Sequence, residues 1–202
     1  MKGPAPGPGP RPARGYALVG VLLALLLFAT GGFLWFSGRQ EAAVGGPFTL
    51  VDGQGRTVTN RTFRGKYMLV YFGYTHCPDV CPTTLSDIAA ALGKLGPKAA
   101  LVVPVFITVD PARDTPAVVG HYAALFSPRI VGLSGSAAQI AKVAGEYHVY
   151  YARHVTGPGP DDYSMDHSSV LYLMGPNGRF VAPIPAEGSV RSLTDSLARL
   201  VS

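Results

Sequence analysis

From Pro47 onward the apolar positions fall into short β-rich runs separated by longer stretches of helical spacing, the pattern of an alternating α/β domain. Phe48-Thr49-Leu50-Val51 and Thr57-Val58-Thr59 flank Asp52-Gly53-Gln54-Gly55 and predict a short hairpin closed by turn residues. Tyr67 to Phe72 is apolar throughout, which predicts a central strand covered on both faces. Pro82 to Leu95 follows as a helix, since proline is tolerated in a first turn and Gly96-Pro97 ends it. Ala100 to Val109 is a second buried strand. Thr115-Pro116 opens a helix reaching Phe126, Ile130 to Leu133 is a short strand, and Ser136 caps a helix running to His148. Val170 to Met174 and Arg179 to Ala182 flank Gly175-Pro176-Asn177-Gly178, a hairpin signal, and Ser189 to Val201 is a final amphipathic helix. No internal repeat interrupts this order.

A β-α-β core, then a helix, a β-hairpin and a last helix is the order of a thioredoxin-like mixed sheet flanked by helices. The domain so predicted covers residues 47–202. Before it, Tyr16 to Phe36 is an uncharged apolar stretch long enough to span a bilayer as a helix, with Tyr16 and Trp35 at its ends. Lys2, Arg11 and Arg14 precede it, which puts residues 1–15, a Pro/Gly-rich tail that builds no core, on the cytoplasmic side. Residues 37–46 read as a linker. A cleaved signal peptide ending near Ala42-Ala43 is the competing reading; the length of the apolar run favours a retained anchor.

Charge adds little. The formal +5 includes three cations of the tail, so from Ser37 onward 14 Lys/Arg (17 − 3) face 12 Asp/Glu, leaving +2. No basic cluster interleaved with aromatics is present, and nucleic acid is not the expected partner.

The chemistry rests on the two cysteines. Cys77 and Cys81 lie in Tyr71-Phe72-Gly73-Tyr74-Thr75-His76-Cys77-Pro78-Asp79-Val80-Cys81-Pro82, between the first core strand and its helix, where open α/β sheets gather their sites. A structural disulfide across so short a loop removes little chain entropy, which favours a functional pair. Cys-X-X-X-Cys puts the second sulfur near a helix start that favours thiolate, and about one helical turn apart both sulfurs can face one point. Two soft thiolates suit Cu(I); Zn(II) wants a fuller ligand set, and no second cysteine pair supplies it. The same pair can also serve as a dithiol–disulfide couple.

A third ligand has five histidine candidates. His121 lies within a predicted helix, His148 and His154 in a Tyr-rich stretch, and His76 points away from its neighbour Cys77. His167, in Tyr163-Ser164-Met165-Asp166-His167-Ser168-Ser169, is on a loop expected beside the cysteines. Asp166 is a candidate orienting group and Met165 a candidate soft ligand, though a lone Met is usually packing.

The cysteine segment, Ile107-Thr108-Val109-Asp110-Pro111-Ala112-Arg113-Asp114-Thr115, Phe126-Ser127-Pro128 with Val131-Gly132-Leu133, and Asp166-His167 together resemble the Sco/SenC family. The resemblance runs from Pro47 to the end, with the Pro/Gly-rich Thr156 to Pro160 as one departure. It implies a membrane-anchored copper protein of cytochrome c oxidase assembly, with copper on Cys77, Cys81 and His167. It implies the copper-bearing oxidase subunit as partner, with other copper chaperones or thiol reductants beside it. It places the domain in the bacterial periplasm or the mitochondrial intermembrane space; the composition and the lack of a long Arg/Ser-rich transit peptide point to the bacterial case. Asp110 and Arg113-Asp114 read as a loop ion pair that caps the next helix through Asp114 or Thr115.

Two functions follow. One is a metallochaperone that holds copper and passes it to the oxidase, which is not an enzymatic role. The other is a thiol–disulfide oxidoreductase that keeps the oxidase cysteines reduced with Cys77 and Cys81. Nothing marks a peroxidatic cysteine.

Overall fold

In the computed structural model, Gly3, Gly7, residues 25–28, Thr30 and residues 44–202 are described. The chain divides into two units, Met1–Ala42 and Ala43–Ser202. The expected tail, membrane span and linker fall mostly outside the described residues, among which no helix is long and apolar enough to cross a membrane.

The second unit is built on β1 (Thr49–Asp52), β2 (Thr57–Thr59), β3 (Tyr67–Gly73), β4 (Val102–Thr108), β5 (Val131–Ser134), β8 (Val170–Met174) and β9 (Phe180–Pro185), with β6 (Tyr151–Val155) and β7 (Tyr163–His167) apart. The seven-stranded sheet runs β2-β1-β5-β4-β3-β8-β9, and β6 and β7 form a separate two-stranded sheet. Four helices pack with it: α1 (Val80–Lys94), α2 (Pro116–Phe126), α3 (Ala137–Glu146) and α4 (Val190–Leu200). This is the expected mixed sheet flanked by helices.

All seven residues of β3 are buried, because β3 pairs in parallel with β4 on one side and antiparallel with β8 on the other. A strand so placed has neither face nor edge in water, which is why its sequence is continuously apolar rather than alternating. Leu69, Val70, Phe106, Ile107, Leu133 and Leu171 lie in one buried core with α1 residues Leu85 and Ile88.

Several boundaries move, for local reasons. Helix α1 begins at Val80, two residues before the proline expected to open it, so Pro82 occupies the first turn, where its missing N–H leaves no bond unmade. A 3-10 turn, Gly96–Leu101, takes the first residues of the expected second strand. Helix α3 stops at Glu146; His148 beyond it has φ 54°, a left-handed conformation that cannot continue a helix.

The main departure is the β6–β7 hairpin, absent from the sequence-based expectation. Tyr151 pairs with His167 and Val155 with Tyr163, and the Pro/Gly-rich Thr156 to Pro160 falls in the connecting turn, where Thr156 N–H donates to the Asp162 carbonyl at 2.7 Å. His167 is therefore the last residue of a strand rather than a loop residue.

Candidate metal centre

Topology brings the site together. β8 runs antiparallel to β3, with Leu171 opposite Tyr71, so the start of β8 lies beside the end of β3. The cysteine loop leaves that end of β3, and His167 stands just ahead of β8. Among the described residues, Cys77, Cys81 and His167 form the one group of three metal-ligating side chains, with donor atoms all within 4.8 Å of one another.

The two sulfurs differ. Cys77 is half-buried and Cys81 buried, and both are free thiols. Asp79 occupies the N-cap of α1 but its side chain makes no capping bond. The Cys77 sulfur takes that role, accepting the Cys81 backbone N–H at 3.4 Å. A hydrogen bond from the Cys81 thiol, with backbone N–H groups of Cys81 and Asp79, lowers the Cys77 pKa to about 5. The same contact with Cys77, then burial, pushes Cys81 up, so the first proton leaves Cys77.

His167 Nε2 lies 3.4 Å from Cys81 Sγ, and its Nδ1 lies 3.2 Å from the Ser168 carbonyl oxygen. A carbonyl only accepts, so Nδ1 carries a proton, which makes Nε2, beside Cys81, the ring nitrogen able to ligate a metal. The ring stands edge-on to both Tyr71 and Tyr74, with its centroid 6.0 Å from each of theirs. Two thiols and one bare imidazole nitrogen around a single point fit copper, which accepts sulfur and imidazole at low coordination number.

The other histidines stay away from this point. His76 turns toward Thr75 Oγ1 (3.1 Å) and Asp114 (3.8 Å). His121 is exposed on α2, and His148 is exposed after α3. Asp166, expected to orient His167, instead pairs with His154 at 2.7 Å on the exposed face of the hairpin. Alternation along β7 explains this, since neighbours point to opposite faces. By the same alternation Met165 points inward with His167, but it packs in the core.

The Asp110–Asp114 segment does more than the expected capping. Thr115 caps α2, accepting the Val118 N–H, while Asp114 is fully buried. Its carboxylate accepts from Thr75 N–H (2.9 Å), Thr75 Oγ1 (2.5 Å) and Thr108 Oγ1 (2.7 Å). Those bonds fasten the cysteine loop to the end of β4. Asp110 takes the Arg113 ion pair at 2.6 Å and the Tyr163 hydroxyl at 2.8 Å. Arg113 also lies over the Tyr163 ring, 3.5 Å from its centroid, with Arg153 3.8 Å away. The pair thus anchors the strand that ends in His167, a role invisible without the hairpin.

Comparison with known proteins agrees with this architecture. The SCO1/SenC family model matches residues 37–202. The chain belongs to the SCO1/SenC family. It is 45% identical over 160 residues to the mitochondrial protein SCO1 homolog 1 of Arabidopsis thaliana, covering 79% of this chain and 47% of that one. It is 41% identical to Protein SenC of Rhodobacter capsulatus over 161 residues, 80% of this chain and 72% of that protein. The solved structure of Bradyrhizobium japonicum ScoI with copper bound superposes with TM-score 0.70 at 46% identity, covering 78% of this chain and 99% of that one. The chain spans about half the length of the Arabidopsis relative.

Proposed function

We propose that this SCO1/SenC protein holds one copper ion on Cys77, Cys81 and His167 and delivers it to the copper-bearing subunit of cytochrome c oxidase during assembly. The convergence of the three donor atoms within 4.8 Å carries the reading. Family membership and the likeness to a copper-bound ScoI support it. Copper is cargo here. Soft sulfurs hold Cu(I), the imidazole completes the set, and the half-buried Cys77 is the donor an incoming acceptor displaces first. In this proposal residues 16–36 anchor the chain in the inner membrane with residues 1–15 cytoplasmic. Residues 47–202 then work in the periplasm, or in the intermembrane space of a mitochondrion.

One observation favours a second reading. A cysteine with its pKa lowered to about 5 beside a buried partner thiol suits thiol–disulfide exchange with the oxidase cysteines. His167→Ala separates the two, because imidazole fills a coordination position but takes no electrons in sulfur-to-sulfur exchange. Cells carrying this variant at limiting copper should lose oxidase activity, while the purified protein still reduces a disulfide-bonded acceptor domain. Normal oxidase assembly in that strain would favour the reductase reading.

A further inference from the structure

His167 ends a strand that the main sheet does not hold. β7 pairs with β6 in a separate sheet, and the β3–β8 ladder stops with Leu171 opposite Tyr71, short of His167. The cysteines instead ride on the loop and helix that leave β3. Side-chain contacts must therefore set the distance between the imidazole and the sulfurs. Tyr74, a buried residue of the cysteine loop, bears on all three groups. Its carbonyl accepts the Cys77 N–H at 3.3 Å, and its N–H donates to Cys81 Sγ. Its ring meets the His167 ring at 84°, with centroids 6.0 Å apart. The Arg113 guanidinium carbon is 5.9 Å from the Tyr74 centroid and 3.5 Å from that of Tyr163, the first residue of β7.

We propose that the Tyr74 side chain is a positioning residue that holds the His167 imidazole in register with Cys77 and Cys81 through its edge-on contact. Aromatic pairs prefer this arrangement, because the positive edge of one ring meets the negative face of the other. The bond from Nδ1 to the Ser168 carbonyl cannot do the same work, since Ser168 is the next residue and moves with the histidine. Tyr74 belongs to the cysteine segment, so its ring carries the position of the sulfurs to the imidazole. β7 is then pinned at both ends, by the Asp110–Arg113–Tyr163 anchor at its start and by Tyr74 at His167. Arg113 links the two pins: its Nη2 is buried without a hydrogen-bond partner, and the rings of Tyr74 and Tyr163 supply faces that attract a cation. The proposal rests on the copper-holding reading for its purpose, while its first test needs no copper.

In the reduced, copper-free full chain labelled with carbon-13 at histidine, relaxation of the ring C–H groups reports the order of His167, whose resonances are those missing from His167→Ala. Wild type should show one rigid ring. Tyr74→Leu should lower its order, and Tyr74→Phe, which keeps the aromatic edge, should restore it. A mobile ring in wild type, or unchanged order in Tyr74→Leu, overturns the proposal; should the leucine variant not fold, Tyr74→Met is read in the same way. Cu(I) competition then separates positioning from general damage. Tyr74→Leu should weaken binding about five-fold, the worth of an edge-on aromatic contact. In the His167→Ala background the same substitution should change affinity by less than about two-fold, because its effect passes through the imidazole. Equal losses in both backgrounds would overturn the proposal. Failure of wild type to take up copper would refute the function proposed above, while the ring order would still decide the role of Tyr74.

Discussion

Gly73 and Cys81 are fitted to each other: a β-carbon on Gly73 would lie 2.7 Å from Cys81 Sγ and 2.8 Å from Phe106 Cε2. Neither neighbour has room to retreat, since Cys81 and Phe106 are fully buried. Glycine at the end of β3 is therefore what lets the second sulfur sit against the strand. Gly73→Ala should destabilise the domain by about 1–3 kcal/mol through overpacking and weaken copper binding by displacing Cys81. Denaturant unfolding paired with copper titration checks both; wild-type values for each would contradict the fit.

Selective alkylation tests the inequality of the two thiols. With its pKa lowered to about 5, Cys77 in the reduced, copper-free protein should react with iodoacetamide at a rate that rises through about pH 5 and is flat by pH 7. Buried Cys81, whose pKa is raised, should stay slow throughout. A folded-state pKa below the unfolded one gives stabilisation that is full above the unfolded value of 9.0 and is lost as pH falls through about 5. Cys77→Ser should remove that part of the pH dependence of unfolding.

Asp114 is the fastening of the cysteine loop. Asp114→Ala strands the Thr75 N–H and the Thr75 and Thr108 hydroxyls, and should cost about 2–4 kcal/mol. Faster hydrogen exchange at Thr75 and Cys77 would locate the loss in the loop. Protection equal to wild type there would contradict the assignment.

The strand that ends in His167 has its own anchor. Tyr163→Phe removes the hydroxyl bond to Asp110 while leaving the ring between Arg113 and Arg153. Amide protection across β6 and β7 should fall, and copper affinity with it by about ten-fold, while β3 and β4 keep theirs.

These residues mark the limits of the sequence. The buried strands were legible because burial on both faces writes an unbroken apolar run, as in Tyr67 to Phe72. The caps of α2 and α3 were legible from Thr115 and Ser136, residue types whose hydroxyls accept a backbone N–H of the first turn. The β6–β7 hairpin was not, since Tyr151–Val155 is largely exposed, carries Arg153 and His154, and is paired by register rather than by a buried face. His167 is legible from its place before β8, although the strand it ends is not. The role of Asp114 depends on Thr75, 39 positions away, and no local pattern encodes that contact. Gly73 did leave a signal: a glycine closing an apolar strand beside a reactive loop often marks a close approach.

The topology proposal is checked on spheroplasts. Protease added outside should digest residues 47–202 and spare a tag placed before Lys2. Protection of the domain instead, or a mature N-terminus near Ala42, would contradict the anchor.

The central claim is that Cys77, Cys81 and His167 hold a single copper ion. Titration of the reduced full chain with Cu(I) against a competing chelator tests it most directly. Wild type should bind one copper per chain, His167→Ala should bind more weakly, and Cys77→Ser/Cys81→Ser should bind none at comparable affinity. Tight, stoichiometric copper retained by the double cysteine variant would contradict the account.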